Sequence, residues 1–493
     1  MDNSMQKTAS HLLSFSGCTS GTHSLAWAQI AAVRSIERIG GALTPPHVRK
    51  DGPLTGVRRI EDVLSAILKV VQRYEALRSH WERTGDGRLV QVVRAEGALS
   101  IDQYEVAADD VSGAAHTVKE RLALEDFAPG ELPVRIALLT VRGTPAAIAM
   151  LLHHVFADGV ASAIVYEEIV NLSMGRTTPE PSAWQPREIA AFEDSPLGRA
   201  QARRADVFLR KELRRAPVPA PPCAIPADRQ PTFVWAQLES PAAAAAIAGL
   251  ARGRGVSSAN VILAAYSAVL GRWTRQPSVT FRLTVANRAH PRTRHAVTNL
   301  FQSVPLTVPA QADSFGDLAR DVAVTALRGY RHAWYDHDRF MESISEISAE
   351  RGHHVTVPFG VNLRVIGQSD FEGPQSLAEK RVLDTLADLS PDDLRRLTAA
   401  SQLTENYDSA ALPDLNVRFS VWALARTAVM TLMGDTTAIA RHGPGLLLSG
   451  LDAILVRAAL ASADAPLHQL AEQALDQAAD KRRSLTKESL GDG

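Results

Sequence analysis

Residues 151–160 read LLHHVFADGV. Two adjacent histidines close the apolar run Ala146–Leu152, and Asp158-Gly159 breaks it three residues later. Such a run predicts a buried strand with His153 and His154 where it emerges. Side chains alternate along a strand, so only one of the two histidines can face a given cavity. Behind Asp158-Gly159 the pattern VASAIVYEEIVNLSMG predicts a helix. An aspartate at a helix start is favoured by capping and by the dipole; alternatively it makes a buried ion pair with an arginine. Either arrangement fixes the loop and its imidazole. One reading is a satisfied histidine pair before a turn. The other is an active centre, because imidazole takes and returns a proton near neutral pH.

The chain has 493 residues, 45% apolar and 22% charged, with a formal net charge of −1. That length predicts two or three domains or two lobes, and the balance is that of a globular protein. No basic excess exists to bind phosphates, which argues against nucleic acid as a partner. Two cysteines, Cys18 and Cys223, exclude a disulfide framework and a Cys-rich zinc site. The N-terminus lacks a basic start with a long apolar core, so a cytoplasmic location is expected. The apolar stretch from Asn260 through VILAAYSAVL is too short to span a bilayer, and no membrane insertion is expected.

Helical and strand patterns alternate. Ile60–Trp81 has apolar residues at three- and four-residue spacing and predicts one amphipathic helix; Ser112–Phe127 predicts another. Val134–Val141 and the run from Ala146, joined by Arg142-Gly143-Thr144-Pro145, predict an antiparallel hairpin. Leu197–Ala216 is a charged helix, and the proline-rich 217–231 a linker between halves. Further helices are predicted at Pro241–Gly255, Ser257–Thr274, Ser314–Phe340 and from Pro444. Strands are predicted at Val279–Arg288, Leu300–Val308 and Val355–Val365, with one or two within Leu415–Leu432. The tail 480–493 is polar and predicted to be disordered.

The sequence contains no G-x-S-x-G, Walker loop, H-E-x-x-H or cysteine nucleophile in a supporting context. A lone oriented base suits direct attack by an amine or alcohol on an activated acyl carbon, without a metal or a covalent nucleophile.

His153-His154-Val155-Phe156-Ala157-Asp158-Gly159 resembles the HHxxxDG motif of the condensation domains of nonribosomal peptide synthetases, within the chloramphenicol acetyltransferase-like superfamily. Other stretches resemble family segments in the same order. They are Ser24-LAWAQ, Arg73-YEALRS, Phe208-LRKELRRAP, Val285-ANR with Val297-TNLFQSVPLTV, His337-DRFMESI and Val357-PFGVNLR. Tyr74, Ala28 and Leu209 depart from the usual residues and mark a divergent branch. The resemblance runs from Leu12 to Ala461.

The resemblance implies an α/β fold of two acetyltransferase-like lobes (an α+β sandwich each), arranged as a V-shaped pseudodimer around a central tunnel. The lobes would be 1–190, carrying the motif, and 191–479. It implies a free-standing condensation enzyme that joins an acyl thioester to an amine or alcohol in natural-product biosynthesis. The acyl group would arrive on the phosphopantetheine arm of a peptidyl or acyl carrier protein, with no bound cofactor and no metal. His154 would be the base or the group that positions the acceptor. His153 would be structural, and Asp158 would pair with Arg288, with Arg78 as the second choice. Gly159 would let the backbone approach the reacting centre. Asn299 would line the tunnel or hold a turn. Trp184 and Trp422 are read as core residues. A monomer is expected. The segment 368–413 looks longer than usual and is read as a solvated helical excursion, with a lid or partner surface as the alternative. Two rival functions remain. One is an acyl-CoA-dependent transferase using Arg252, Arg254, Arg272 and Arg275. The other is a non-catalytic module that recruits a partner, which the intact histidine motif argues against.

Overall fold

The computed structural model describes residues 5–39, 47–178, 182–218, 233–363, 381–409, 417–435, 443–462 and 464–491. The chain divides into two units. The first is Met1–Arg204 with Ala286–Gln302 and Trp334–Arg339; the second is Ala205–Val285 with Ser303–Ala333 and Phe340–Gly493. The first unit thus runs past residue 190, where the sequence placed a lobe boundary, and takes back two later segments. Most of the proline-rich linker, residues 219–231, lies outside the described residues.

In chain order the structure has β1 (Met5–Phe15), β2 (Gly21–Ser24), α1 (Trp27–Ile39), β3 (His47–Pro53), α2 (Ile60–Arg73), β4 (Ser79–Arg83), β5 (Leu89–Val93) and β6 (Gly97–Val106). Then follow α3 (Val111–Leu122), β7 (Val134–Val141), β8 (Thr144–His153), α4 (Gly159–Ser173), α5 (Pro186–Asp194) and α6 (Pro196–Arg215). Next come β9 (Phe233–Ser240), α7 (Pro241–Arg254), α8 (Ser258–Thr274), β10 (Ser278–Val285), α9 (Pro291–Arg294), β11 (Gln302–Pro309), α10 (Phe315–His332) and α11 (His337–Arg351). The last are β12 (Phe359–Leu363), α12 (Pro391–Leu397), β13 (Gln402–Ser409), β14 (Val417–Leu424), β15 (Ala428–Asp435), α13 (Gly443–Leu460) and α14 (Leu467–Gly491).

The first unit holds a five-stranded sheet in the order β1-β6-β7-β8-β3. The β6–β7 pair is parallel and the other pairs antiparallel. The predicted β7–β8 hairpin turns on Arg142 and Gly143, both at positive φ (51° and 73°). That is the left-handed pair a two-residue hairpin needs to match strand twist. Strand β8 is buried on both faces, which is why it reads as an unbroken apolar run. Ile148, Met150 and Leu152 pack with α2 and α4 through Val63, Ile67, Val165 and Ile169. Ala147 and Ala149 pack with α3 through Ala114, Ala115 and Val118. A second, three-stranded sheet has the order β2-β5-β4.

The helix predicted over Ile60–Trp81 stops at Arg73. Tyr74 is extended (φ −106°, ψ 113°), Glu75–Arg78 form a 3-10 turn, and Ser79 starts β4. Tertiary partners override the helical pattern. The Tyr74 hydroxyl and the Arg73 guanidinium both donate to the buried carboxylate of Glu168 in α4, and β4 pairs with β5. The long helix predicted over Ser314–Phe340 is likewise two helices, α10 and α11.

A small core of the first unit is organised by Glu193 in α5. Its carboxylate accepts the backbone N–H of Trp27 at 2.7 Å and the indole N–H of Trp334 at 2.7 Å. Burial pushes this carboxyl up to about 8 from an ordinary 4.5. Between those values the folded chain keeps a proton that the unfolded chain has released, so stability falls as pH rises through the window. The unfolding midpoint should therefore drop between pH ~5 and pH ~8, and Glu193→Gln should flatten that slope in thermal scans at several pH values.

The second unit holds a seven-stranded sheet in the order β11-β10-β12-β14-β15-β9-β13. β10, β12 and β14 run parallel, and the pairs from β14 to β13 are antiparallel. Helices α7 and α8 begin at the serine caps Ser240 and Ser257, the second of them read from sequence. Helix α13 is long and apolar enough to cross a membrane by composition. Its Leu447, Leu448, Leu451, Ile454 and Leu455 are instead buried within the unit. Of the segment 368–413, residues 381–409 are described. They include the capped helix α12, but also β13, which extends the sheet beside β9. The segment is therefore part of the fold and more than a solvated excursion. Helix α14 continues through the stretch predicted to be an unstructured tail. Trp422, expected in a core, is 46% exposed.

Tyr266 in α8 stacks on Phe419 with ring centroids 4.8 Å apart. Its buried hydroxyl has no hydrogen-bond partner among the described residues. An unsatisfied buried hydroxyl costs about 1–3 kcal/mol. Tyr266→Phe should raise the stability of this unit by about 1 kcal/mol, measurable as a higher denaturant midpoint.

Candidate active site

All the residues singled out around the histidine motif lie in the first unit. Strand β8 ends at His153 and a tight turn follows. The His153 carbonyl accepts the N–H groups of Phe156 (2.9 Å) and Ala157 (3.1 Å), and α4 starts at Gly159.

The two histidines have separate environments: His153 is the last residue of β8, and His154 lies in the turn behind it, where strand alternation no longer applies. His153 continues the Ala147, Ala149 face and pairs with His47 across the β3–β8 ladder. Its ring lies among His47 (5.7 Å), Phe127 (5.4 Å) and Phe156 (6.2 Å). Its Nδ1 accepts the Val155 N–H at 3.2 Å. Burial, with further contributions from His47 and His154, pushes its pKa down to about 3. His153 is therefore neutral across the physiological range and packed among three aromatic rings. His47 is itself buried, with Nε2 3.1 Å from Asp126.

His154 meets the Ala157 carbonyl with Nδ1 at 2.8 Å. A carbonyl only accepts, so Nδ1 carries the proton in this contact. In the neutral ring Nε2 then holds the lone pair. This is the tautomer a general base needs, and it is set by the residue preceding Asp158. The His154 ring also lies against Phe301, with centroids 4.9 Å apart and planes tilted by 38°.

Asp158 does both things that the sequence left as alternatives. Oδ1 accepts the Ala161 N–H at 2.8 Å and so caps α4. Both carboxylate oxygens accept from Nη2 of Arg288, at 2.8 and 2.9 Å. Oδ2 also accepts the Leu300 N–H at 3.1 Å. Asp158 and Arg288 are 4% and 7% exposed at their side chains, so the pair is out of bulk solvent. Arg288 further donates to the carbonyls of Ala296 (2.7 Å), Thr293 (3.2 Å) and Thr298 (3.3 Å). Arg78, the second candidate partner, is bound elsewhere, to the carbonyls of Thr19 and Arg94.

Asn299 is buried; its Oδ1 accepts the Phe301 N–H at 3.2 Å, and its Nδ2 has no partner among the described residues. That arrangement is a turn role, with one amide donor left over. Gly159 is the first residue of α4, and its carbonyl accepts the Ser162 hydroxyl at 2.8 Å. Gln29, from the LAWAQ stretch, accepts the Ala26 N–H and donates to Thr298 at 3.5 Å, which links two sequence motifs. Trp184 stacks on His290 at 4.9 Å. Among the described residues no group of three or more His, Cys, Asp or Glu is placed to hold a metal ion.

The four arginines read as a loose cluster are not one. Arg252 and Arg254 end α7, whereas Arg272 and Arg275 lie at the far end of α8, whose 17 residues span about 25 Å. Arg252 pairs with Asp388 at 2.7 Å and Arg272 with Glu472 at 3.8 Å.

Phe301, His47 and the Ala157 carbonyl were not found from sequence. Phe301 follows Asn299 closely in a motif-like stretch, but nothing in the residue order tells which ring it meets.

The family model for the condensation domain matches residues 54–383. The chain belongs to the condensation domain family. This condensation domain is 24% identical over 474 residues to bacitracin synthase 3 of Bacillus licheniformis, a match covering 91% of this chain and 7% of that protein. It thus spans less than a tenth of that relative's length. Its fold is similar to the first condensation domain of the calcium-dependent antibiotic synthetase, with a TM-score of 0.66 at 16% identity, covering 91% of this chain and 98% of the other. It is also similar to the SgcC5 protein from Streptomyces globisporus, with a TM-score of 0.64 at 19% identity, covering 90% and 100%. The α/β fold expected from the motifs is thereby shown to be the condensation-domain fold.

Proposed function

We propose that this condensation domain joins an acyl group, held as a thioester on a carrier protein, to an amine or an alcohol, and that His154 is its base. The observation that carries the reading is the Nδ1–H···O=C contact between His154 and Ala157. It leaves Nε2 as the basic nitrogen beside a turn locked by the buried Asp158–Arg288 pair. Family membership supports the acyl-transfer chemistry.

In the proposed step the acceptor nitrogen or oxygen attacks the thioester carbonyl carbon. Its proton passes to Nε2 of His154. The tetrahedral intermediate collapses, the C–S bond breaks, and His154 returns the proton to the departing sulfur. The products are an amide or ester and the free phosphopantetheine thiol. His153, Asp158 and Arg288 hold the turn and do not touch the reacting atoms in this scheme.

The test is a transfer assay read by intact-mass spectrometry. Acyl groups are offered on carrier proteins and on coenzyme A, with panels of amines and alcohols. Product from carrier donors, lost in His154→Ala, is the expected result. Product from coenzyme A donors alone would replace the carrier with a diffusible thioester. Carrier binding with no turnover of any donor would favour a recruiting module.

A further inference from the structure

We propose that the second unit carries a binding site for a short aliphatic carboxylate, with Arg254 receiving the carboxylate and a cavity beside it receiving the chain. The inference goes beyond acyl transfer and does not rest on that reading.

A cavity of about 340 Å³ lies where the later turns of α7, the start of α12 with the residues before it, and the end of α13 come together. All of its lining belongs to the second unit. The volume falls at the small end of pockets that hold ligands, about 300–1,000 Å³. Of the lining residues, Leu250, Leu394 and Ala458 are buried, whereas Gly253, Ser390 and Pro391 are exposed. The space therefore reaches from the apolar interior to the surface. Its walls are alanine, leucine, glycine and proline, apart from Ser390 and one ionic group, Arg254.

Two glycines keep this space open. Helix α7 is rich in alanine, the best helix former, yet carries Gly249 and Gly253 one turn apart on the face that lines the cavity. Glycine is the weakest helix former after proline, and a conserved backbone contact or a positive φ is the usual return for it. Neither applies here. A Cβ added at either position would meet nothing within 4 Å among the described residues, and neither residue has a positive φ. What the two glycines secure is the volume itself.

Arg254 supplies the charge. Its side chain is half-buried, and its stem passes the start of α10, where a Cβ on Gly316 would lie 3.4 Å from Cδ and Nε. The guanidinium makes no hydrogen bond or ion pair with a described residue. The acids on the flanking elements are already engaged. Asp388 pairs with Arg252 at 2.7 Å, and Arg252 also donates to the Ala387 carbonyl, which fastens that wall. Asp393 accepts the Ser390 hydroxyl at 2.6 Å and pairs with Arg396. Asp317 accepts the Ser314 hydroxyl at 2.6 Å and pairs with Arg320. A planar fork of donors beside a narrow apolar space matches a carboxylate on an aliphatic tail, because the fork can hold both carboxylate oxygens.

The experiment titrates the full chain with octanoate, octanol and octylamine by isothermal calorimetry, each below its micelle concentration. Gly249→Leu and Arg254→Gln are the variants, and a diazirine-bearing octanoate locates the site by crosslinking and peptide mass spectrometry. Wild type should bind one octanoate per chain, at least about tenfold more tightly than octanol or octylamine. Arg254→Gln should weaken octanoate by about tenfold or more. Gly249→Leu should abolish binding by filling the space, and should melt no lower than wild type, since leucine is the better helix former. Crosslinks should fall within Ala245–Arg254, Leu386–Leu394 or Ala458–Ala461. No octanoate binding by wild type would overturn the proposal, as would wild-type affinity in Arg254→Gln or in a folded Gly249→Leu. Crosslinks confined to the first unit, or equal affinity for octanoate and octanol, would overturn it too. Arg254→Gln alters a half-exposed side chain and decides the question by itself if Gly249→Leu does not fold.

Discussion

His154→Ala is expected to lower acyl transfer by on the order of a hundredfold or more, the usual contribution of a positioned general base. The loss should fall mainly on kcat, because in the proposed step the imidazole takes the proton that moves during attack. The fold should survive, since the Ala157 N–H keeps its bond to the His153 carbonyl and α4 keeps its cap on Asp158. His153→Ala should show the opposite balance. That ring is neutral and packed against His47, Phe127 and Phe156, so its removal forfeits those contacts and lowers stability. Parallel measurement of kcat and unfolding midpoint for the two variants separates the roles. Transfer by His154→Ala within a few-fold of wild type would remove it as the base.

Arg288→Leu is expected to destabilise the first unit by about 3–5 kcal/mol, because it strands a buried carboxylate. Asp158 would keep the N–H groups of Ala161 and Leu300 but lose both bonds to Nη2. Arg288→Lys should recover little. An ammonium has no planar fork with which to reach Asp158 and the carbonyls of Thr293, Ala296 and Thr298 together. The double variant Asp158→Asn with Arg288→Leu should be less damaged than the sum of the two single changes, since neither charge is then left alone. Urea unfolding of the four proteins closes the cycle. Additive losses would show that the pair is not coupled. Transfer should fall in Arg288→Leu as well, because the turn that presents His154 begins where Asp158 is anchored.

Several features could be read from residue order because their causes are local. An apolar run followed by His-His and then Asp-Gly specifies a strand end, a turn and a capped helix, and the structure has β8, the turn 154–157 and α4. The hairpin before it was legible from Arg142-Gly143, and the cap of α8 from Ser257. Reading failed where distant partners competed with local pattern. Ile60–Trp81 has helical periodicity throughout, yet Glu168 takes Arg73 and Tyr74, and β5 takes Ser79–Arg83 as a strand. The segment 368–413 looked like an excursion because its edge strand is too polar to announce itself.

The choice between capping and ion pairing for Asp158 shows where residue order stops. Capping depends on three consecutive residues and was expected from them. The ion pair depends on Arg288, which lies far along the chain and was assigned only by resemblance to a family. The residues alone were enough for the chemistry on offer: an imidazole beside a helix start, no nucleophilic cysteine or serine elbow, and an α/β alternation of elements. Folding alone decided which histidine lies among His47, Phe127 and Phe156 and which is held by the Ala157 carbonyl. It also decided that Ala286–Gln302 returns to the first unit, that Glu193 is buried under two tryptophans, and that Phe301 meets His154. The reason is physical: hydrophobic periodicity and capping act over a few residues, whereas desolvation, ion pairing and ring packing depend on which surfaces the completed fold brings together.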